Sequence, residues 1–143
     1  MKYVFSTADT RRYRFPTHIN DLVMDRSEAT SSEVFIVVLA RGEAPPVHQH
    51  DDTEQIFYVL SGQGRLEIGP QPETYPVKPG DVIRIPPETR HSIQCTGEEP
   101  LTYLAVDCFP AGRPQAEPTW DAHVKTICRQ QGWAYEQVVE QQA

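Results

Sequence analysis

Short apolar runs separated by turn-forming residues make up the middle of the chain. Between residues 33 and 109 the runs are rich in valine, isoleucine, tyrosine and phenylalanine, and each ends at glycine, proline or a polar cluster. That punctuation is typical of an all-β domain with a turn about every 8 to 12 residues. The predicted strands are residues 33–40, 47–50, 55–60, 65–68, 74–77, 82–85, 91–95 and 101–109.

The two ends of the chain follow other patterns. Lys2–Phe5 is a candidate for a short strand, and residues 14–25 have no decisive period. The stretch AGRPQAEP after the last strand lacks a periodic apolar pattern and is expected to be a connector. Trp120–Gln131 then repeats large residues at three- and four-residue spacing, which predicts a helix with Gly132 as its C-cap. Residues 133–141 are expected to add a second helical turn or two.

These elements predict one domain, because 143 residues suffice for one core and are too few for two ordinary ones. Within it, residues 1–32 form an N-terminal strand and extension, residues 33–109 a β-barrel, and residues 110–143 a connector and C-terminal helix. Many short antiparallel strands without alternating helices favour a jelly-roll barrel, an architecture that limits exposed strand edges.

Charge and composition exclude several classes of protein. A formal net charge of −7 argues against nucleic-acid binding, which needs lysine and arginine to neutralise phosphates. No stretch approaches the roughly 20 apolar residues of a membrane-spanning helix, and the first residues do not resemble a signal peptide, so we expect a cytoplasmic protein without a membrane partner. Three cysteines without CxxC spacing argue against a disulfide framework or a cysteine-rich zinc site.

Histidines supply the candidate chemistry. His48 and His50 lie two residues apart, so in an extended segment both point to one face, and imidazole binds zinc, iron, copper or nickel. His91 begins a later strand. The predicted strand at residues 55–60 lies between His50 and His91 in the chain. Its alternate residues point to opposite faces, and both faces are apolar, which indicates that each is packed against other parts of the protein. One face carries Gln55, Phe57 and Val59; the other carries Glu54, Ile56, Tyr58 and Leu60.

At these residues the chain resembles the cupin family. The first motif of that family reads here as Gly42-EAPPV-His48-Gln49-His50-DDTE-Gln55-IFYVLS-Gly62. The second reads as Gly80-DVIRI-Pro86-Pro87-Glu88-TR-His91-SIQ-Cys95. The spacing between landmarks is kept, but three positions depart from the family pattern: Gln55 stands in place of glutamate, Glu88 in place of glycine, and Cys95 in place of asparagine.

The resemblance implies a double-stranded β-helix with a metal site inside one end. By motif spacing the ligands are His48, His50, Gln55 and His91, and the cofactor is one divalent transition metal per chain: zinc, nickel, iron or manganese. A register with Glu54 as the ligand is the alternative. Phe57 and Cys95, which share faces with these ligands, are expected to line the pocket.

Three functions remain open for such a site. The first is a non-redox metalloenzyme (isomerase, cyclase or lyase) acting on a small polar substrate, favoured because a neutral Gln55 leaves the metal more positive. The alternatives are an iron-dependent dioxygenase and a non-enzymatic module that binds a small ligand. No general acid or base is evident, although Glu88 is a candidate if it reaches the site.

Four further expectations concern the surroundings of the site. The residues Asp51, Asp52 and Glu54 are expected to be solvated, and His18 and His123 to be structural or on the surface. The helical tail is expected to pack on the barrel exterior through Trp120, Val124 and Ile127 rather than to form a lid. We also expect a homodimer, formed through the outer face of residues 55–60 and the N-terminal strand.

Overall fold

Two antiparallel sheets form the protein in the computed structural model, which describes residues 1–140. The six-stranded sheet has the order β1-β2-β3-β9-β4-β7, and the three-stranded sheet has the order β6-β5-β8. The strands are β1 (Arg11–Phe15), β2 (His18–Met24), β3 (Ser32–Leu39), β4 (Glu54–Ser61), β5 (Gly64–Ile68), β6 (Glu73–Val77), β7 (Val82–Ile85), β8 (His91–Cys95) and β9 (Leu101–Cys108). Helices α1 (Trp120–Gln131) and α2 (Tyr135–Val138) follow. This architecture confirms the predicted all-β jelly-roll with a short helical tail.

Strict alternation of buried side chains produces the core. Each of the central strands turns every second residue inward, as the period of a β-strand requires. The inward residues are apolar along most of each strand and polar at one end. They are Glu33, Phe35, Val37 and Leu39 on β3, Gln55, Phe57 and Val59 on β4, and Leu101, Tyr103, Ala105 and Asp107 on β9.

The N-terminal strand lies later in the chain than predicted. Lys2–Phe5 forms no strand, whereas β1 and β2 pair as a hairpin that begins at Arg11 and overlaps residues 14–25, the region without a decisive period. Two aromatic side chains on β1, Tyr13 and Phe15, are buried, and the arginines between and before them point outward. The hairpin extends the six-stranded sheet by pairing with β3.

The turn between β4 and β5 explains why the first motif ends in glycine. Gly62 has φ +82°, a backbone conformation that residues other than glycine rarely adopt. A Cβ at this position would lie 2.7 Å from Cα of Leu101 and would also collide with the carbonyl oxygen of Pro100. The positive φ of the turn and the close approach of the start of β9 therefore both require glycine.

Helix α1 begins and ends where the sequence predicts. The hydroxyl of Thr119 accepts a hydrogen bond from the Ala122 amide at 3.1 Å, and Gly132 ends the helix with φ +74°. Trp120 and Val124 are buried against the sheet. Neither α1 nor any other helix within residues 1–140 combines the length and apolarity needed to cross a bilayer.

Part of the outer face of the large sheet is apolar and exposed. Tyr58 and Leu60 on β4 each retain 45% of their accessible surface, and Val82 on the neighbouring β7 retains 65%. Burying such a face between two copies of the chain would be favourable. A homodimer through this face therefore remains our prediction. We expect sedimentation equilibrium to give twice the chain mass of 16.2 kDa and Tyr58→Lys to shift the protein towards monomer. A wild-type protein that sediments as a monomer would contradict this prediction.

Candidate metal centre

Three histidines meet at one end of the barrel. His48 lies in the segment before β4 and pairs with the first residue of β8: its amide donates to the carbonyl oxygen of His91 at 3.2 Å, and the His91 amide donates back at 3.0 Å. His50 follows on the same face. One ring nitrogen from each of the three histidines lies within 4.8 Å of the others. That arrangement can hold a metal ion.

Backbone carbonyl groups orient two of these rings. Nδ1 of His48 donates to the carbonyl oxygen of Pro46 at 2.7 Å, and Nδ1 of His91 donates to that of Thr89 at 3.0 Å. A proton on Nδ1 leaves the lone pair on Nε2, the arrangement seen when histidine ligates a metal. Within the described chain, Nε2 of His91 is buried and has no hydrogen-bond partner.

Burial keeps the cluster neutral. It lowers the pKa of His50 to about 3, with help from the neighbouring histidines, and it lowers the pKa of His91 to about 4. The pKa of His48 is also lowered, chiefly by burial. Neutral imidazole is the form that binds metal, so near neutral pH these rings are ready to act as ligands.

Glu88 has a backbone role next to the cluster. It adopts φ +61°, the left-handed conformation that suits the glycine usual at this motif position. Its amide donates to the carbonyl oxygen of His50 at 2.7 Å, which ties the two histidine-bearing segments together. The Glu88 side chain is exposed and lies outside the described cavity lining, so it does not meet the condition of reaching the site that would make it a candidate acid or base.

Gln55 lines the same cavity as the histidines, and Glu54 lies outside the described lining. The Gln55 side chain is 5% exposed, and its Nε2 donates to Oδ1 of Asp107 at 2.8 Å. Because that acceptor fixes the orientation of the amide, Oε1 points the other way, and it is buried without a hydrogen-bond partner among the described residues. Glu54 lies on the outer face, where it forms an ion pair with Arg84 at 3.0 Å.

A buried polar row supports Gln55 from behind. Glu33, Asp107 and Gln55 are neighbours across β3, β9 and β4, and Arg26 binds both carboxylate oxygens of Glu33 at 2.7 and 2.9 Å. Burial and the Asp107 carboxyl raise the pKa of Glu33 to about 9, and burial raises the pKa of Asp107. The two carboxyl groups therefore share one proton at neutral pH, and Arg26 balances the remaining negative charge.

The cluster lies in a cavity of about 470 Å³. Phe57 lines it. Cys95 shares the inner face of β8 with His91 but does not line the cavity as expected. It lies at the other end of the strand, where it pairs with Gly64 and is buried in the core. The aromatic side chains of the wall are His18, Phe35, Phe57, Tyr103, Trp120, His123 and Trp133.

Helix α1 forms one side of this cavity instead of packing on the barrel exterior. Trp120, His123 and Ile127 line the cavity together with Glu117 from the connector. His18 lines it as well, so the expectation that His18 and His123 are merely structural or on the surface needs correction. The signal for His123 was its position on the stripe with Trp120 and Ile127. The sequence carried no signal for Glu117.

Comparison with known proteins identifies the family. The family described as "Cupin domain" matches residues 35–107, or 73 of the 143 residues. The chain is 36% identical over 76 residues to an uncharacterized protein of Methanocaldococcus jannaschii, covering 53% of this chain and 59% of that protein. It is 31% identical over 93 residues to quercetin 2,3-dioxygenase of Bacillus subtilis, covering 64% of this chain and 27% of that enzyme. The chain thus spans only part of each of these relatives.

A solved structure shares the architecture. A conserved protein with a double-stranded β-helix domain from Klebsiella pneumoniae superposes with a TM-score of 0.65 at 21% identity. The alignment covers 78% of this chain and 93% of that chain. At this identity the likeness shows the fold alone.

Proposed function

This chain belongs to the cupin-domain family, and on that premise we propose that it is a metal-dependent enzyme acting on a small molecule by non-redox chemistry. His48, His50, His91 and Gln55 would hold one divalent transition metal: zinc, nickel, iron or manganese. Isomerisation, cyclisation and elimination are the reaction types that fit such a site.

One observation carries the proposal. Two buried polar atoms at the cluster, Nε2 of His91 and Oε1 of Gln55, have no hydrogen-bond partner within the described residues. Leaving such atoms unsatisfied costs free energy, about 1–3 kcal/mol each, unless something binds there. Both atoms carry lone pairs, and both belong to groups whose other polar atom is already hydrogen-bonded. A cation supplies what both atoms lack.

The donor set indicates the kind of chemistry. Three neutral imidazoles and an amide oxygen add no negative charge, so a bound divalent ion would polarise a substrate carbonyl or hydroxyl more strongly than one held by a glutamate. The protein supplies the rest of the environment. Aromatic side chains form part of the cavity wall, and the hydrogen bond to Asp107 holds the Gln55 amide in one orientation.

A dioxygenase is the second candidate. Similarity to quercetin 2,3-dioxygenase over 93 residues favours it, and three histidines suit iron as well as zinc. Metal content of the protein purified without added metal or chelator separates the two. We expect stoichiometric zinc or nickel. Stoichiometric iron together with oxygen uptake would favour the dioxygenase over our proposal. A protein that binds none of these metals would instead be a non-enzymatic module that binds a small ligand.

Replacing each of the two adjacent candidate ligands by alanine in turn tests which of them binds the metal. We expect Gln55→Ala to weaken metal binding by about 10-fold or more, because it removes a buried oxygen that has no described hydrogen-bond partner, from a residue that lines the cavity with the histidines. We expect Glu54→Ala to leave the affinity within about twofold, because Glu54 pairs with Arg84 on the outer face. Competition with a metallochromic chelator measures both. The reverse order of effects would make Glu54 the ligand.

A further inference from the structure

A histidine and a glutamate from outside the family match face the metal centre. His123 lies on α1, and its Nδ1 is 3.2 Å from each carboxylate oxygen of Glu117 in the connector. Both side chains line the cavity and are about one-fifth exposed, His123 at 18% and Glu117 at 22%. A ligand in the cavity can therefore reach them.

The pairing sets the roles of the two imidazole nitrogens. The hydrogen bond from His123 lowers the pKa of Glu117 to about 2, so Glu117 is a carboxylate near neutral pH. A carboxylate accepts, which places a proton on Nδ1 of His123. Nε2 is then the nitrogen left for a ligand, and a histidine held in this way by a carboxylate is a common form of general base.

His123 stands beside the metal ligands without joining them. Its ring centroid is 6.3 Å from that of His50, and the three-histidine group found among the described residues does not include it. A second, small cavity of about 20 Å³, large enough for one water, lies between His50, His123 and Glu117. This spacing suits a group that acts on a substrate bound at the metal centre.

We propose that His123, positioned by Glu117, is the catalytic residue that moves a proton on an enolisable carbonyl substrate with an aromatic or apolar body. This inference rests on the proposed function. The substrate class follows from the cavity, whose lining combines the polar histidine cluster and other polar side chains with an aromatic set, Phe35, Phe57, Tyr103, Trp120 and Trp133, that suits an aromatic or apolar body.

The step balances without an oxidant. A C–H bond next to the carbonyl group breaks, its proton passes to Nε2 of His123, and its electron pair stays in the substrate as an enolate. Return of the proton to a different atom of the substrate gives an isomer, and return to the same carbon gives exchange with solvent. His123 ends the cycle in its starting protonation state.

A purely structural role is the rival explanation, because the pair also braces the connector against α1. Proton exchange on a probe separates the two. Phenylpyruvate has an aromatic body and an enolisable methylene group, and NMR in D₂O follows loss of its methylene protons. We expect the protein with its metal bound to accelerate this exchange over buffer, and His123→Gln to lower the catalysed rate by about 100-fold.

Further measurements separate proton transfer from binding and folding. We expect His123→Gln to keep its metal content, its thermal midpoint within a few degrees and its phenylpyruvate dissociation constant within about twofold. Lys125→Gln, on the exposed side of the same helix, should exchange like the wild type. Glu117→Gln should lose less than His123→Gln. In metal-free protein labelled with ¹⁵N-histidine, phenylpyruvate should shift the Nε2 resonance of His123.

The outcomes are distinguishable. Unchanged exchange in His123→Gln would overturn the assignment of His123, and absence of phenylpyruvate binding or of exchange by the metal-bound wild type would overturn the substrate class. In either case a stoichiometric metal content leaves the proposed metal site standing. Failure to bind metal would instead contradict the proposed function itself.

Discussion

Replacing His91 by alanine is expected to abolish stoichiometric metal binding. The substitution removes a ring that is already oriented by the Thr89 carbonyl oxygen and whose Nε2 has no other described partner. Loss of an outer-shell partner typically costs about 10- to 100-fold in metal affinity, and loss of a ligand should cost more than that. Metal content by mass spectrometry and competition with a chelator measure the effect.

His18→Gln is the matched control for that substitution. His18 is a histidine on the wall of the same cavity, stacked on Phe15 at 4.6 Å between ring centroids, and it lies outside the three-histidine group found among the described residues. We expect this variant to retain full metal content. Equal loss of metal in both variants would mean that the effect reports damage to the fold, and full retention in His91→Ala would remove His91 from the site.

Arg26→Ala is expected to destabilise the fold by about 3–5 kcal/mol, because it leaves the Glu33–Asp107 carboxyl pair buried without its cation. Arg26 is 1% exposed and Glu33 fully buried, and the guanidinium also lies over the ring of Phe109 at 4.9 Å. Urea denaturation with linear extrapolation gives the change in the free energy of unfolding. Adding Asp107→Asn to Arg26→Ala should recover part of the loss, because it removes the negative charge that Arg26 balances while Glu33, with its raised pKa, stays protonated.

A half-exposed ion pair supplies the comparison. Arg12 binds Asp21 at 2.8 Å but keeps 38% of its side chain exposed, and such pairs contribute about 1 kcal/mol or less. Arg12→Ala should therefore cost far less than Arg26→Ala. Equal costs for the two substitutions would show that the buried row behind Gln55 is not important for stability.

Elements whose signals are local could be predicted from the sequence. Strands β7 and β8 and helix α1 lie at the residues predicted, because proline, glycine or a capping residue marks their ends. The choice between Gln55 and Glu54 followed from motif spacing together with the two-residue period of a strand, and the structure places Gln55 inward.

Features that depend on distant pairing could not be predicted. The β1–β2 hairpin buries two aromatic residues but is otherwise rich in polar residues, so its period was weak. No local pattern indicated that Arg26, Glu33 and Asp107 would meet in the core. The course of the connector from residue 110 to 119 decides where α1 lies. No local pattern showed that it would bring Glu117 and His123 to the cavity.

Crystallography with anomalous scattering at the absorption edge of the bound metal tests the central claim most directly. We expect one anomalous peak per chain, within about 2.0–2.2 Å of a nitrogen from each of His48, His50 and His91, with Oε1 of Gln55 directed at it. A peak bound by Glu54, a peak elsewhere in the chain, or no peak in protein that contains stoichiometric metal would contradict the site described above.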